Sequence, residues 1–138
     1  MKKALIIVLL GIIAVPVFSQ NWELYSTTTD LTIEYQYVSC NDEPNGKFME
    51  RVIFRYKNIS DTPISFLPDI SCKYKNGSKE YETKPEGEVG EISLAPGEVL
   101  EGKCTSKERY LSVYSKMTNL EASILQSFTI EVKSVKTN

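Results

Sequence analysis

The chain reads as an all-β protein: an antiparallel β-sandwich of seven or eight short strands, preceded by a cleavable signal peptide. Three observations carry this reading. Apolar and polar residues alternate along several segments, the period of a half-buried strand. Turn chemistry interrupts the chain every ten residues or so, as in all-β domains. No long helical pattern supplies the crossovers that a parallel sheet needs.

The first nineteen residues have the three-part layout of a secretory signal. Lys2 and Lys3 give a positive start, Ala4 to Val15 is apolar apart from Gly11, and Pro16 with Val17-Phe18-Ser19 forms the cleavage region. The apolar run is shorter than the roughly 20 residues that span a bilayer comfortably. Cleavage after Ser19 leaves Gln20 as the mature N-terminus, and no cysteine nearby offers a lipid anchor. The expectation is an exported chain, secreted or periplasmic, with residues 20–138 as a single domain and no membrane span after cleavage.

The elements follow in order. Leu31 to Val38 alternates, with Leu31, Ile33, Tyr35 and Tyr37 inward. Pro44-Asn45-Gly46 is a turn, and Met49 to Lys57 is the next strand, with Val52, Phe54 and Tyr56 on one face. Ile64 to Leu67 and Ile70 to Tyr74 read as short strands around Pro68, an edge or a bend. Asn76-Gly77 is the sharpest hairpin signal in the chain. Glu80 to Glu91 carries five Glu with Pro85, Gly87 and Gly90, and reads as an exposed loop rather than a calcium site, which would be richer in Asp. Ile92 to Leu94 leads into a Pro96-Gly97 turn, and Val99 to Cys104 follows as a strand. Lys107 to Leu120 fits strand better than helix, with a helical turn as the alternative. Phe128 to Val132 closes the domain as a strand.

Composition excludes more than it assigns. The formal net charge is −2, and the mature chain, without Lys2 and Lys3, is more acidic still. Its basic residues are scattered, so nucleic acid and anionic membrane are not expected partners. There is no histidine. That removes the common general base, and with it Ser-His-Asp and Cys-His catalysis and His-containing zinc sites. Neither an enzyme nor a cofactor is expected.

Three cysteines remain: Cys40, Cys72 and Cys104. In an oxidising compartment two pair and one is left over. Strand parity points Cys72 inward beside Ile70 and Tyr74, and Cys104 inward beside Leu100 and Gly102, which favours a Cys72–Cys104 bridge. That bridge would close a loop of about 33 residues and contribute about 3–4 kcal/mol in the chain-entropy model. Cys40 then stands as the possible free thiol. It remains an alternative bridge partner, since parity is lost in a loop.

The segment Phe54-Arg55-Tyr56-Lys57-Asn58-Ile59-Ser60 with Pro63-Ile64, and the later Leu94-Ala95-Pro96-Gly97-Glu98, resembles the strand–turn pattern of small exported immunoglobulin-like proteins of Gram-negative bacteria. The resemblance spans roughly Leu31 to Val135. It implies an immunoglobulin-like sandwich and an extracytoplasmic location, but no reaction.

The expected function is therefore that of a non-catalytic binding or accessory module of the envelope or exterior, with a protein or glycan partner. Tyr81, Tyr110 and Tyr114 are the candidate binding face, because most of the eight tyrosines sit at inward parities and these three are the ones expected to be exposed. The competing readings are a thiol-active or disulfide-linked protein using Cys40, and a structural component that assembles through a sheet edge.

Overall fold

The computed structural model describes residues 21–84, 90–119 and 122–137. The signal segment, part of the acidic stretch (85–89) and Leu120 lie outside the described residues. The described chain is all-β, with nine antiparallel strands: β1 Glu23–Thr27, β2 Leu31–Ser39, β3 Met49–Asn58, β4 Ile64–Asn76, β5 Lys79–Thr83, β6 Ile92–Leu94, β7 Val99–Glu101, β8 Ser112–Met117 and β9 Ile124–Thr137. No α-helix is present among the described residues, and none of their helices is long and apolar enough to cross a membrane.

The strands form two sheets around one core. In the first, β1, β2 and β3 are consecutive neighbours, and β7 and β8 share the far edge of β3. In the second, β9 runs along one side of β4, while β5 and β6 divide the other side. Period-two patterning fills the space between the sheets. Val52, Phe54 and Tyr56 of β3 are fully buried, as are Phe66, Ile70 and Cys72 of β4 to within one per cent. The Tyr56 and Phe66 rings meet across the core at 5.5 Å. Burying each such side chain contributes about 1.5–3 kcal/mol.

Where β1 and β9 approach each other, the Tyr25 hydroxyl accepts the Ile130 N–H at 2.8 Å, and the Tyr25 ring stacks on Phe128 at 5.8 Å. Phe128 also packs against Tyr35 and Phe54. Tyr37 extends this ring cluster to the surface, edge-on to Tyr35 at 6.2 Å. Tyr37 shares the inward parity of its strand but is half exposed, against expectation.

Pro68 does not mark an edge strand. β4 is one continuous strand at the centre of its sheet, and Pro68 sits between the stretch paired to β6 (64–66) and the stretch paired to β5 (72–76). Ile130 gives its N–H to Tyr25, so Ile70↔Ile130 is a non-hydrogen-bonded pair, and Pro68↔Val132, two residues along, is of the same kind. The missing N–H of Pro68 therefore faces the gap between β5 and β6, where no ladder bond is lost.

Two further expectations are corrected. The acidic stretch is exposed but is not all loop, since Glu80 and Glu82 lie on β5. The strand expected over Val99 to Cys104 stops at Glu101. Gly102 gives its N–H to the Phe54 carbonyl, while Phe54 gives its own N–H to Leu111. A Cβ on Gly102 would collide with the Leu111 backbone, so only glycine fits where β7 hands over to β8. The Lys107 to Leu120 segment combines both readings: Leu111 and Ser112 N–H groups close a single turn on the Glu108 carbonyl, and the strand β8 follows at once.

The disulfide also differs. Cys40 bonds Cys104, with Cα atoms 5.4 Å apart, and Cys72 is a buried free thiol. The expected Cys72–Cys104 pair does not form, and Cys40 is not a free thiol. Alternation was the wrong guide for two of the three residues. Cys104 lies past the end of β7 in an exposed turn, and Cys40 lies past the end of β2. Cys72 alone occupies a strand, and it points inward as its parity requires.

Candidate functional site

One end of the molecule gathers the features that sequence singled out. The chain reverses there through Gly77-Ser78, with Gly77 in the left-handed region at φ 59°, a conformation that glycine adopts without strain. The two-residue loop pairs Asn76 with Lys79 and so sets Tyr74 directly opposite Tyr81. Their rings stack at 5.6 Å. On the other side of Tyr74, β8 carries a bulge: Lys116 faces Glu50 and Tyr114 faces Arg51, leaving Ser115 without a register partner. Bulges re-aim neighbouring side chains. Here the Tyr114 ring lies 6.2 Å from Tyr74, and the Tyr74 hydroxyl donates to the Tyr114 carbonyl at 2.8 Å.

The result is a row Tyr81–Tyr74–Tyr114 that links the two sheets. Tyr81 is 44 % exposed and is fixed by a 2.7 Å hydrogen bond between its hydroxyl and Ser123. Tyr74 is buried, and burial, its largest influence, raises its pKa, with the neighbouring Cys72 adding to the rise. The Tyr114 hydroxyl is covered and has no hydrogen-bond partner, alone among the buried side-chain polar atoms of the described residues.

Grooves flank the row. One of about 400 Å³ lies between Lys73, Glu80, Tyr81, Glu82 and Gln126. Another of about 290 Å³ opens beside Tyr74 and Tyr114 and is lined by Arg51, Thr83, Lys107, Arg109 and Ser112. The segment joining β7 to β8 supplies Lys107 and Arg109 to the second, and the Cys40–Cys104 bridge ties that segment to the end of β2.

Of the three expected tyrosines, Tyr81 and Tyr114 come together and Tyr110 does not. Tyr110 is half-buried, its carbonyl accepts the Tyr56 hydroxyl at 2.6 Å, and burial and Glu108 raise its pKa. Sequence reasoning treated Tyr74 only as core. The hairpin signal contained its pairing with Tyr81, because a two-residue loop fixes register. Arg51 and Arg109 had no comparable signal, since their neighbours come from distant strands. Cys72 lies under this region, and burial pushes its thiol pKa up against the pull of Arg109 and Tyr74. It is held protonated rather than activated.

Comparisons of the chain with protein-family models, curated proteins and solved structures found no match.

Proposed function

We propose that this chain is an exported, non-catalytic binding module that engages a protein or glycan partner through the end of the molecule carrying Tyr81, Tyr74 and Tyr114. The carrying observation is the tyrosine row itself. An exposed ring, pinned by a hydroxyl hydrogen bond and backed by a second ring, offers a rigid amphipathic contact with grooves on either side. The Cys40–Cys104 bridge supports export, because such bonds persist in oxidising compartments.

The fold proposed is an immunoglobulin-like β-sandwich. Consecutive strands β3 and β4 lie in different sheets, and later strands return to each, β7 and β8 to β3 and β9 to β4. Two departures separate it from the antibody type. The bridge joins the ends of β2 and β7 rather than the two sheets, and the single tryptophan, Trp22, lies under Arg55 rather than in the core. Assembly through the edge of β9 is disfavoured, because Tyr25 already occupies an edge N–H there.

The test compares the immobilised mature chain with its Tyr81→Ala variant for capture from envelope and medium fractions. A species retained by the wild type and lost by the variant, with circular dichroism and Tm unchanged, supports the reading. Equal retention by both chains removes the tyrosine row from the interface.

A further inference from the structure

We infer that the cleft of about 290 Å³ beside Tyr74 and Tyr114 is a binding site for a small organic oxyanion, a carboxylate or phosphate monoester on a body no larger than a monosaccharide. The inference deepens the binding-module reading and rests on it.

The arginines of this chain are held in two different ways. Arg55 is neutralised: Glu34 accepts from its Nε and Nη2 at 2.6 Å, and the guanidinium lies 4.3 Å from the Trp22 ring centre. Arg51 and Arg109 are fixed without being neutralised. Arg51 donates to the Ser112 hydroxyl at 2.7 Å and to the Ser112 carbonyl at 3.4 Å. Arg109 donates to Thr83 Oγ1 at 2.8 Å and to the Lys84 carbonyl at 3.0 Å.

Every one of those acceptors is uncharged. Each guanidinium is therefore oriented while keeping its full charge and several N–H donors for another partner. Lys107 lines the same cleft, and among the described residues none of the three forms an ion pair. Among the described residues, no Asp or Glu lines it. On an acidic chain, three cations that line one cleft and are held by neutral groups make a local positive site suited to an anion.

The shape and lining limit what that anion carries. Two planar guanidinium forks match the planar carboxylate or the phosphate oxygens, and Thr83 and Ser112 hydroxyls offer places for a ligand's own hydroxyls. The volume admits a body of sugar size but not a folded partner. A polymer bearing such groups would present one residue here.

The test is an NMR titration of the mature chain at low salt and neutral pH with glucuronate, a hexose phosphate, neutral glucose and inorganic sulfate. Millimolar glucuronate or hexose phosphate should shift the Arg51 and Arg109 side-chain signals. The stronger of the two identifies the oxyanion. Binding should weaken about tenfold or more in Arg109→Gln, the loss expected for a hydrogen bond to a charged group. Lys107→Gln, at an exposed position, should weaken it without touching the fold, while Lys57→Gln, exposed at the far end of β3, should leave it in place.

Three results would overturn the proposal: no localised shift with any oxyanion, equal shifts from glucose, or equal shifts from sulfate. Each leaves the tyrosine row to be judged separately by the capture experiment.

Discussion

The two ends of β3 treat buried polarity in opposite ways. At the Asn58 end, every hydrogen-bonding group of that asparagine is committed. The Asn58 side chain is fully buried, donates to the Thr62 and Leu94 carbonyls, and accepts from the Ser60 N–H and hydroxyl. Its backbone N–H and carbonyl bond Glu98 and Gly97. One amide thereby ties the β3–β4 turn to the β6–β7 turn. At the Arg51 end, the Tyr114 hydroxyl is buried without a partner, and among the described residues Arg51, Lys107 and Arg109 form no ion pair. The first end spends its polar groups on the fold, and the second leaves them for something else. This uneven satisfaction is the contrast on which the proposed binding end rests.

The largest effect should come from cutting the tie that holds the second end in place. Replacing both Cys40 and Cys104 by Ser removes a cross-link of sequence separation 64. The chain-entropy model puts that loss at about 4 kcal/mol. Denaturant midpoints of the variant and the oxidised wild type measure it. Hydrogen exchange sharpens the contrast: amides of residues 102–111 should lose protection in the folded variant, while those around Asn58 keep theirs.

Next in size is Asn58→Ala. It strands the Leu94 and Thr62 carbonyls and frees the Ser60 turn, at an expected cost of about 3 kcal/mol. Oxyanion binding by the folded variant should be unchanged. A variant that loses binding in proportion to stability would show that the two ends are one cooperative unit.

A smaller effect, shared by both ends, appears at alkaline pH. Burial raises the pKa of Tyr56 at one end and of Tyr74 and Cys72 at the other, and a hydrogen bond to Glu23 pushes Tyr35 up to about 12. These groups stay protonated in the folded chain after their unfolded counterparts ionise near pH 9 for Cys72 and 10 for the tyrosines. The unfolded state then binds fewer protons, so stability is fully present below those values and is lost as pH rises through the folded pKa values. Urea midpoints should fall from about pH 9 upward. Cys72→Ala should delay the onset, and Tyr56→Phe should flatten the fall at higher pH.

The contrast between the ends also marks what sequence could reveal. Strand identity was legible wherever alternation ran uninterrupted, as in β2 and β3, and the Asn76-Gly77 signal located the β4–β5 hairpin. Half of the candidate site was legible through it, because register places Tyr74 against Tyr81. β1 was missed for lack of clean alternation: Leu24 is 60 % exposed, and the strand reaches the core through Tyr25, by its ring on Phe128 and its hydroxyl on Ile130. The cysteine pairing failed because parity ends with the strand, and Gly102 turns the chain before Cys104. The basic cleft was invisible because Arg51, Thr83 and Arg109 meet only through sheet packing, and scattered charge in sequence does not forbid convergence in space.

The smallest effect tests the comparison most directly, because one chemical change should take opposite signs at the two ends. Tyr56→Phe removes a 2.6 Å hydrogen bond and strands the Tyr110 carbonyl, and should cost about 1 kcal/mol. Tyr114→Phe removes a hydroxyl that is already buried without a partner, so nothing is stranded and a desolvation penalty disappears. Its stability should be unchanged or raised by up to about 1 kcal/mol. Both are read from denaturant midpoints with a common m-value. Equal losses from the two substitutions would mean that the Tyr114 hydroxyl is satisfied in solution, and the distinction between a committed end and an uncommitted one would then rest on the charges alone.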